Sequence, residues 1–190
     1  MNEPKKLIDT PSQTAGPFLH IGCTPRITGI NIFKSELGLT PFQDISDNEA
    51  INIKGKIYDG NCEPIIDAMI ETWQCDANGK YSSNQGFARI VTDFKTGEYQ
   101  LKTIRPGNKI NTDGSLSASY ITFWIVARGM NRPLITRMYF LENDLKNDLM
   151  LNNIKIEDRL NTLIPYTEDN KNFIFNIHLQ GKKETIFFEF

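Results

Sequence analysis

Hydrophobic and polar residues alternate in several short runs along this chain. Ile51, Ile53 and Ile57 alternate with polar or small residues, and their run ends at the turn sequence Asp59-Gly60-Asn61. Further apolar runs are separated by turns rich in Gly, Asn and Pro, and lie at 68–76, 88–93, 98–104, 120–129, 134–140, 173–180 and 185–190. Short strands at such spacing are typical of an antiparallel β-sandwich or barrel. We therefore predict an all-β fold with an antiparallel β-sandwich core.

Helical periodicity is confined to two short segments. The N-terminal region shows neither helical periodicity nor the alternation of a strand. Residues 141–154 show roughly helical spacing of leucines, and 156–163 predict a short second helix. The stretch TPSQTAGPFLHIG at 10–22 is uncharged and interrupted by Pro and Gly, which favours an extended arm over a helix or a strand. The sequence thus predicts an N-terminal arm and surface extension over 1–49 and one β-sandwich domain over 50–190.

Composition and charge argue against several classes of protein. The 190 residues carry a net charge of −2 with no basic run, so nothing favours nucleic acid or an anionic membrane as a partner. No apolar run approaches the roughly 20 residues of a membrane span, and no secretory signal is visible, so we expect a cytoplasmic location. Three cysteines, Cys23, Cys62 and Cys75, match no zinc-binding spacing and are expected to be free thiols.

The chain contains no local motif for hydrolysis or nucleotide binding. GxSxG, HExxH and GxGxxG are absent, and the two histidines, His20 and His178, are far apart in sequence. Tyr81 directly follows the turn sequence DANGK at 76–80, from which a side chain can reach into a cleft. Trp73, in IETWQ, is expected to be a core anchor.

Two arginines interrupt or end apolar runs. Arg137 lies within LITRMYF, and Arg128 ends the run at 120–129. If no bulge intervenes, Arg128 shares one face of a strand with Tyr120 and Thr122, as do Trp124 and Val126. An arginine in such surroundings needs a structural salt bridge or an anionic ligand, and the residues alone leave both readings open.

Five stretches, in order, resemble the intradiol ring-cleaving dioxygenases, and among them the α chains of the two-chain enzymes that act on protocatechuate. The pattern DGxxxPxxDAxIExWQxDAxGxY is shared with intradiol enzymes generally, whereas the N-terminal arm, ARG and the QGxxETxFF ending resemble the α chains. The stretches are TPSQTAGPF (10–18), GKIYDGNCEPIIDAMIETWQCDANGKY (55–81), TGEYQLKTIRPG (96–107), VARGMNRPLITRMYF (126–140) and FNIHLQGKKETIFFEF (175–190). The resemblance implies a β-sandwich and Fe(III)-dependent opening of a catechol ring by O₂.

The resemblance also implies an iron site of two tyrosines and two histidines, which this chain does not reproduce. Tyr81 keeps the first tyrosine position, but Lys109 stands at the second. Tyr120 and Thr122 stand where the family has its H-x-H pair. An ammonium group repels a ferric ion and a threonine hydroxyl is a poor ligand near neutral pH. We therefore expect a relic site without iron and no catalytic residues of this chain's own.

If this chain has no catalytic residues of its own, its function requires a partner chain. The resemblance implies a homologous β chain that carries Fe(III), a larger (αβ)n assembly, and contacts from the α chain to the β chain's substrate pocket. By motif, those contacts map to Thr14, Gly16, Pro17 and Arg128. Glycine and proline allow close, rigid approach of backbone to an aromatic ring, and a guanidinium can steer the carboxylate of protocatechuate.

Two alternatives use the same residues differently. A homomeric dioxygenase would build an unusual site from Tyr81, Tyr120 and His178. A β-sandwich binding or scaffold module would have kept the fold without any catalytic partner. Metal analysis of the lone chain separates the first alternative from the α-chain hypothesis, and the presence or absence of a homologous companion chain separates the second.

Overall fold

Two β-sheets form the body of the protein in the computed structural model, which describes residues 13–16, 18–35, 38–111, 114–140, 148–154 and 157–189. In chain order the strands are β1 (Ala50–Tyr58), β2 (Met69–Trp73), β3 (Phe87–Val91), β4 (Glu98–Ile104), β5 (Lys109–Ile110), β6 (Leu116–Ser117), β7 (Tyr120–Val126), β8 (Leu134–Tyr139), β9 (Tyr166–Thr167), β10 (Asn172–Ile174) and β11 (Ile177–His178). The helices are α1 (Phe18–Cys23), α2 (Leu149–Asn152) and α3 (Glu157–Leu160), the last continuing into a 3-10 helix (Asn161–Leu163).

The predicted all-β fold is confirmed. One sheet has the order β3-β2-β7-β8 and is antiparallel throughout. In the other sheet β1 pairs antiparallel with β4, and a small ribbon of β5 and β6 lies apart from both sheets. A buried apolar cluster between the strands of the two sheets includes Ile53, Ile70, Ile121 and Phe123. The alternation read from the sequence thus marks the faces that meet in the core.

The sheet around β1 is mixed, where the sequence predicted antiparallel pairing only. β10 and β11 both pair parallel with β1, for example Asn52 with Asn172, which lies 120 residues away along the chain. Hairpin-connected strands must run antiparallel, but strands that return after a long excursion are free of that constraint. Alternation along one strand shows which face is buried but not whether its neighbour runs parallel or antiparallel. The sequence pattern therefore could not predict that β10 and β11 run parallel to β1.

Gly55 lets the C-terminal segment pass close to β1. A Cβ atom at this position would lie 1.9 Å from the carbonyl oxygen of Phe175 and 3.0 Å from the hydroxyl of Tyr99. The buried Tyr99 hydroxyl donates a hydrogen bond to that same Phe175 carbonyl. Glycine is thus required here by the packing of a carbonyl and a phenol against the strand.

The helix α1 lies within the stretch that was expected to be an extended arm, so that expectation is wrong for Phe18–Cys23. Its His20 is buried, donates from Nε2 to the carbonyl oxygen of Asp67 at 3.0 Å, and contacts the ring of Phe94 edge-on. A helix this short is unstable in isolation. Its tertiary contacts, which local composition does not reveal, account for it.

The strand predicted over 185–190 is not formed by its described residues. Residues 185–189 form no strand, although they run beside β8. The Phe188 N–H donates to the Ile135 carbonyl at 2.8 Å, and the Thr136 hydroxyl donates to the Ile186 carbonyl at 2.8 Å. At Thr136 the donor is the side-chain hydroxyl and not a backbone N–H, so the regular hydrogen bonding of a strand pair is not formed. The segment therefore packs on the sheet without joining it.

The helical predictions agree in part with the structure. Residues 141–147 of the first predicted helix lie outside the described residues, and α2 begins after Asp148, whose carboxylate accepts from the N–H groups of Met150 and Leu151. This is an N-cap arrangement. The second predicted helix corresponds to α3 and the 3-10 helix. Each helix that the structure describes is too short to cross a lipid bilayer.

Candidate functional site

The turn before Tyr81 is held rigidly against a neighbouring loop. The Asp76 side chain accepts from the N–H groups of Asn78 and Lys80, and Gly79 has a φ of +76°. The Asp76 carbonyl accepts from the N–H of Gly107 at 2.9 Å. These hydrogen bonds fix the conformation of the turn and therefore the position of the Tyr81 backbone.

The four positions predicted as a relic metal site come together in the fold. The Tyr81 hydroxyl donates to the Tyr120 hydroxyl at 3.3 Å. Lys109 Nζ lies 5.6 Å from the centroid of the Tyr81 ring. Thr122 lies two residues beyond Tyr120 on β7 and pairs in register with Arg137 on β8. The positions that the resemblance assigns to a metal site therefore lie in one region of the fold.

Arg137 is the cation at the centre of this cluster. Its Cζ lies 4.1 Å from the centroid of the Tyr120 ring, and its Nη1 donates to the Tyr139 hydroxyl at 3.2 Å. We call Tyr81, Tyr120, Tyr139 and Arg137 the tyrosine–arginine cluster. Burial lowers the pKa of Arg137, but the bond to Tyr139 and the nearby charges outweigh it, so the pKa is raised overall. The guanidinium stays charged and lies over an aromatic face, a cation–π arrangement.

The phenols of Tyr81 and Tyr139 are held in their protonated form. Burial, reinforced by the hydrogen bond to Tyr120, raises the pKa of Tyr81 far above its ordinary value. Burial also raises the pKa of Tyr139 to about 12, although the hydrogen bond from Arg137 acts in the opposite direction. Near neutral pH these two side chains are hydroxyl groups rather than phenolates.

This donor set does not fit ferric iron. A hard cation of high charge requires anionic oxygen donors or imidazoles. The site instead offers the protonated phenols of Tyr81 and Tyr139, with the Arg137 guanidinium against the Tyr120 ring. The neighbouring side chains add only the hydroxyl of Thr122 and the ammonium group of Lys109. Within the described ranges, no group of three or more His, Cys, Asp or Glu side chains is placed to hold a metal ion.

The remaining histidine lies on the other sheet. His178 is in β11 and stacks on the Tyr58 ring at 4.7 Å between centroids. Its backbone N–H donates to the Thr185 hydroxyl. Burial, with a smaller effect of Lys183, lowers the pKa of its imidazole. Tyr120, which is hydrogen-bonded to Tyr81, lies on β7 of the other sheet. His178 is therefore on a different sheet from Tyr120, with which it would form the homomeric site.

The arm and the turn after β7 are joined to each other. The N–H of Gly129 donates to the Thr14 hydroxyl at 2.8 Å. Among the described residues, no atom outside the adjoining positions lies within 4 Å of the place that a Cβ on Gly16 would occupy. Pro17 lies outside the described residues. Thr14 and Arg128, predicted as pocket-walling residues, thus lie in contacting segments.

Arg128 does not share the face of β7, contrary to the sequence expectation. β7 ends at Val126, and Arg128 lies in the turn that follows. Its Nε donates to the Asp67 carboxylate, and its side chain is 65% exposed. The chain turns before the period-2 count reaches Arg128, which frees the guanidinium for the surface.

Two residues at the site were missed by sequence reasoning. Trp73 is 37% exposed and stacks on Tyr81 at 5.8 Å between ring centroids, so the expectation of a core anchor is wrong. Arg137 was noticed only as an interruption of an apolar strand. The sequence signal was present, because a lone charge inside LITRMYF requires a polar partner, but register was needed to place it beside Thr122.

Comparisons with known proteins show the family of this chain. A sequence model of a dioxygenase family matches residues 34–181. The protocatechuate 3,4-dioxygenase α chain of Pseudomonas putida is 36% identical over 196 residues, which cover 97% of this chain and 98% of that protein. The β chain from Burkholderia cepacia is 27% identical over 106 residues, covering 48% of this chain and 45% of that protein. Both kinds of subunit are therefore relatives of this chain.

A solved structure supports the fold. Catechol 1,2-dioxygenase from Pseudomonas arvilla C-1 superposes with a TM-score of 0.59 at 18% sequence identity, over 75% of this chain and 55% of that chain. Identity at this level speaks for the fold alone.

Proposed function

This chain belongs to the intradiol ring-cleaving dioxygenase family, and from that premise we propose that it is the iron-free α subunit of a two-chain protocatechuate 3,4-dioxygenase. The complex opens protocatechuate with O₂ to 3-carboxy-cis,cis-muconate. The ferric iron that supplies this chemistry is held by a homologous β chain in an (αβ)n assembly. The α subunit alone has no activity.

The observation that carries this proposal is the position of Arg137. Its Cζ lies 4.1 Å from the centroid of the Tyr120 ring, and its Nη1 donates a hydrogen bond to the Tyr139 hydroxyl. The Tyr120 hydroxyl also accepts a hydrogen bond from the Tyr81 hydroxyl. A charged arginine among protonated phenols supports a chain whose own site has lost iron. An α-chain relative that matches over nearly the full length supports a role in the two-chain enzyme.

The proposal also assigns a role to the arm and to Arg128. Thr14, Gly16, Pro17 and Arg128 wall the β chain's substrate pocket. The bond between Thr14 and Gly129 supports this role, because it places the arm beside the exposed Arg128. Arg128 attracts the carboxylate of the substrate, and the catechol oxygens then face the partner's iron. Residues 1–49 act as arm and extension and 50–190 as the β-sandwich domain.

We place the complex in the cytoplasm. Three free cysteines, Cys23, Cys62 and Cys75, support a reducing compartment, in which thiols persist.

Co-expression with a β chain from the same organism tests the proposal. We expect the lone α chain to be colourless and iron-free, whereas the complex contains iron, shows the visible absorption of a tyrosinate–Fe(III) centre, and turns over protocatechuate. The β chain prepared alone is the control for the contribution of the α chain. A lone α chain that is coloured and active would overturn the proposal.

A further inference from the structure

Asp67 forms an ion pair with Arg128. It lies in the loop that leads into β2, and its side chain is only 17% exposed, against 65% for Arg128. Its Oδ2 accepts the hydrogen bond from Arg128 Nε. A largely buried carboxylate therefore holds one edge of a largely exposed guanidinium.

The atom that Asp67 binds determines what Arg128 can still do. A guanidinium has one N–H on Nε and four on its two terminal nitrogens, in a planar fork. The carboxylate at Nε occupies the inner edge of that fork. The end formed by the two terminal nitrogens then remains for a second carboxylate, which can bind through two parallel hydrogen bonds.

The same residue also connects Arg128 to the arm. The backbone carbonyl of Asp67 accepts from His20 on α1 at 3.0 Å. Gly129, next to Arg128, donates to Thr14 at 2.8 Å. Two independent bonds thus tie the arm to Asp67 and to the turn that carries Arg128, so these segments form one unit at the surface.

We propose that Asp67 is a positioning residue, which orients Arg128 so that its terminal nitrogens bind the carboxylate of an aromatic acid substrate in the partner subunit's pocket. The inference rests on the proposed function and goes beyond it by naming what sets the direction of the arginine. A side chain held in its binding geometry loses less conformational entropy when the ligand arrives. Without Asp67 the guanidinium keeps its charge but loses its direction.

The experiment uses the αβ complex with two substrates, protocatechuate and catechol, which lacks the carboxylate. We expect Asp67→Asn to raise KM for protocatechuate by about three- to tenfold with kcat changed less than about twofold, the size of one weakened ordered contact. KM for catechol should change much less. A fall in KM for protocatechuate would overturn the proposal, because Asp67 would then compete with the substrate for Arg128.

A double-mutant cycle separates positioning from a merely structural role. In the Arg128→Ala background, Asp67→Asn should have no further effect on the preference for protocatechuate over catechol, since Asp67 acts through Arg128. The same effect with and without Arg128 would overturn the proposal. Asp67→Glu, which keeps the charge but moves it, serves as the second variant and should raise the same KM by a smaller factor.

A matched control and one comparison complete the design. Asp47→Asn removes a carboxylate from another ion pair, with Lys102, and should leave both substrates unaffected. If Arg128→Ala lowers kcat/KM equally for both substrates, the pocket role in the proposed function fails. If Arg128→Ala discriminates between them and Asp67→Asn does not, only the inference about Asp67 fails.

Discussion

At the scale of single residues, two basic side chains lie against the tyrosines of the candidate site. Lys109 and Arg137 bring positive charge next to the rings of Tyr81 and Tyr120. The Tyr81 hydroxyl donates to the Tyr120 hydroxyl, and Arg137 lies over the Tyr120 ring. A cation from the chain itself thus stabilises an aromatic cluster in which an imidazole pair is lacking.

The protonation of Tyr139 gives a measurable consequence. Burial raises its pKa to about 12, so the folded chain keeps a proton that the unfolded chain loses near pH 10. The stability from this group is complete below the ordinary pKa and is lost as pH rises towards about 12. In a phenolate absorbance titration, Tyr139→Phe should remove a late-titrating component that denaturant shifts to about pH 10 in the parent chain. Superimposable native titrations of parent and variant would contradict this.

At the scale of elements, the site depends on how one turn packs against a loop. A Cβ on Gly79 would lie 2.1 Å from the carbonyl oxygen of Asn108, and one on Gly107 would lie 2.3 Å from that of Ala77. The two backbones therefore approach as closely as glycine permits. This contact brings Tyr81 and Lys109, which are 28 positions apart by their numbers, to the same place.

Substitution of Gly79 tests that contact. Gly79→Ala combines a positive φ with a backbone clash, and we expect it to destabilise the fold by about 2–4 kcal/mol. Gly29→Ala is the matched control, because Gly29 has a φ of +85° but open space around a Cβ, so it should cost only about 1 kcal/mol. Urea unfolding of both variants measures the difference. Equal losses would mean that the docking of the turn contributes nothing.

At the scale of the whole molecule, a second core cluster joins the C-terminal segment to the helices. The buried members Tyr120, Tyr139, Leu151 and Leu163 lie in it, and Ile186 and Phe188 pack against it. The Arg137 guanidinium lies 5.6 Å from the centroid of the Phe188 ring. The last residues of the chain therefore support the tyrosine–arginine cluster from outside the sheet.

Removal of the Phe188 ring should be felt in stability. Since the ring is half-buried, Phe188→Ala is expected to lower the free energy of unfolding by about 1–3 kcal/mol, below the cost at a fully buried site. Glu189→Ala, at the exposed neighbouring position, should change it by less than about 0.5 kcal/mol. Chemical denaturation compares the two. A neutral Phe188→Ala would show that the C-terminal segment does not support the second cluster.

Several features of this protein were predictable from the sequence alone. Alternation along the chain indicated the β-sheets, because period-2 patterns report which face of a strand is buried. The resemblance to intradiol enzymes also predicted that Tyr81, Lys109, Tyr120 and Thr122 occupy one site, and their side-chain chemistry predicts that this site lacks iron. The absence of iron stays a prediction. The sheets could be predicted because alternation depends only on residue type and short-range spacing.

Other features were decided only by the tertiary structure. The placement of Arg137 over Tyr120 depends on the register of β7 with β8, and the partnership of Asp67 with Arg128 joins residues 61 apart. The parallel pairing of β10 and β11 with β1 and the short helix α1 likewise rest on long-range contacts. A local pattern determines which side of an element is buried, whereas the partner on that side is selected by packing across the whole chain.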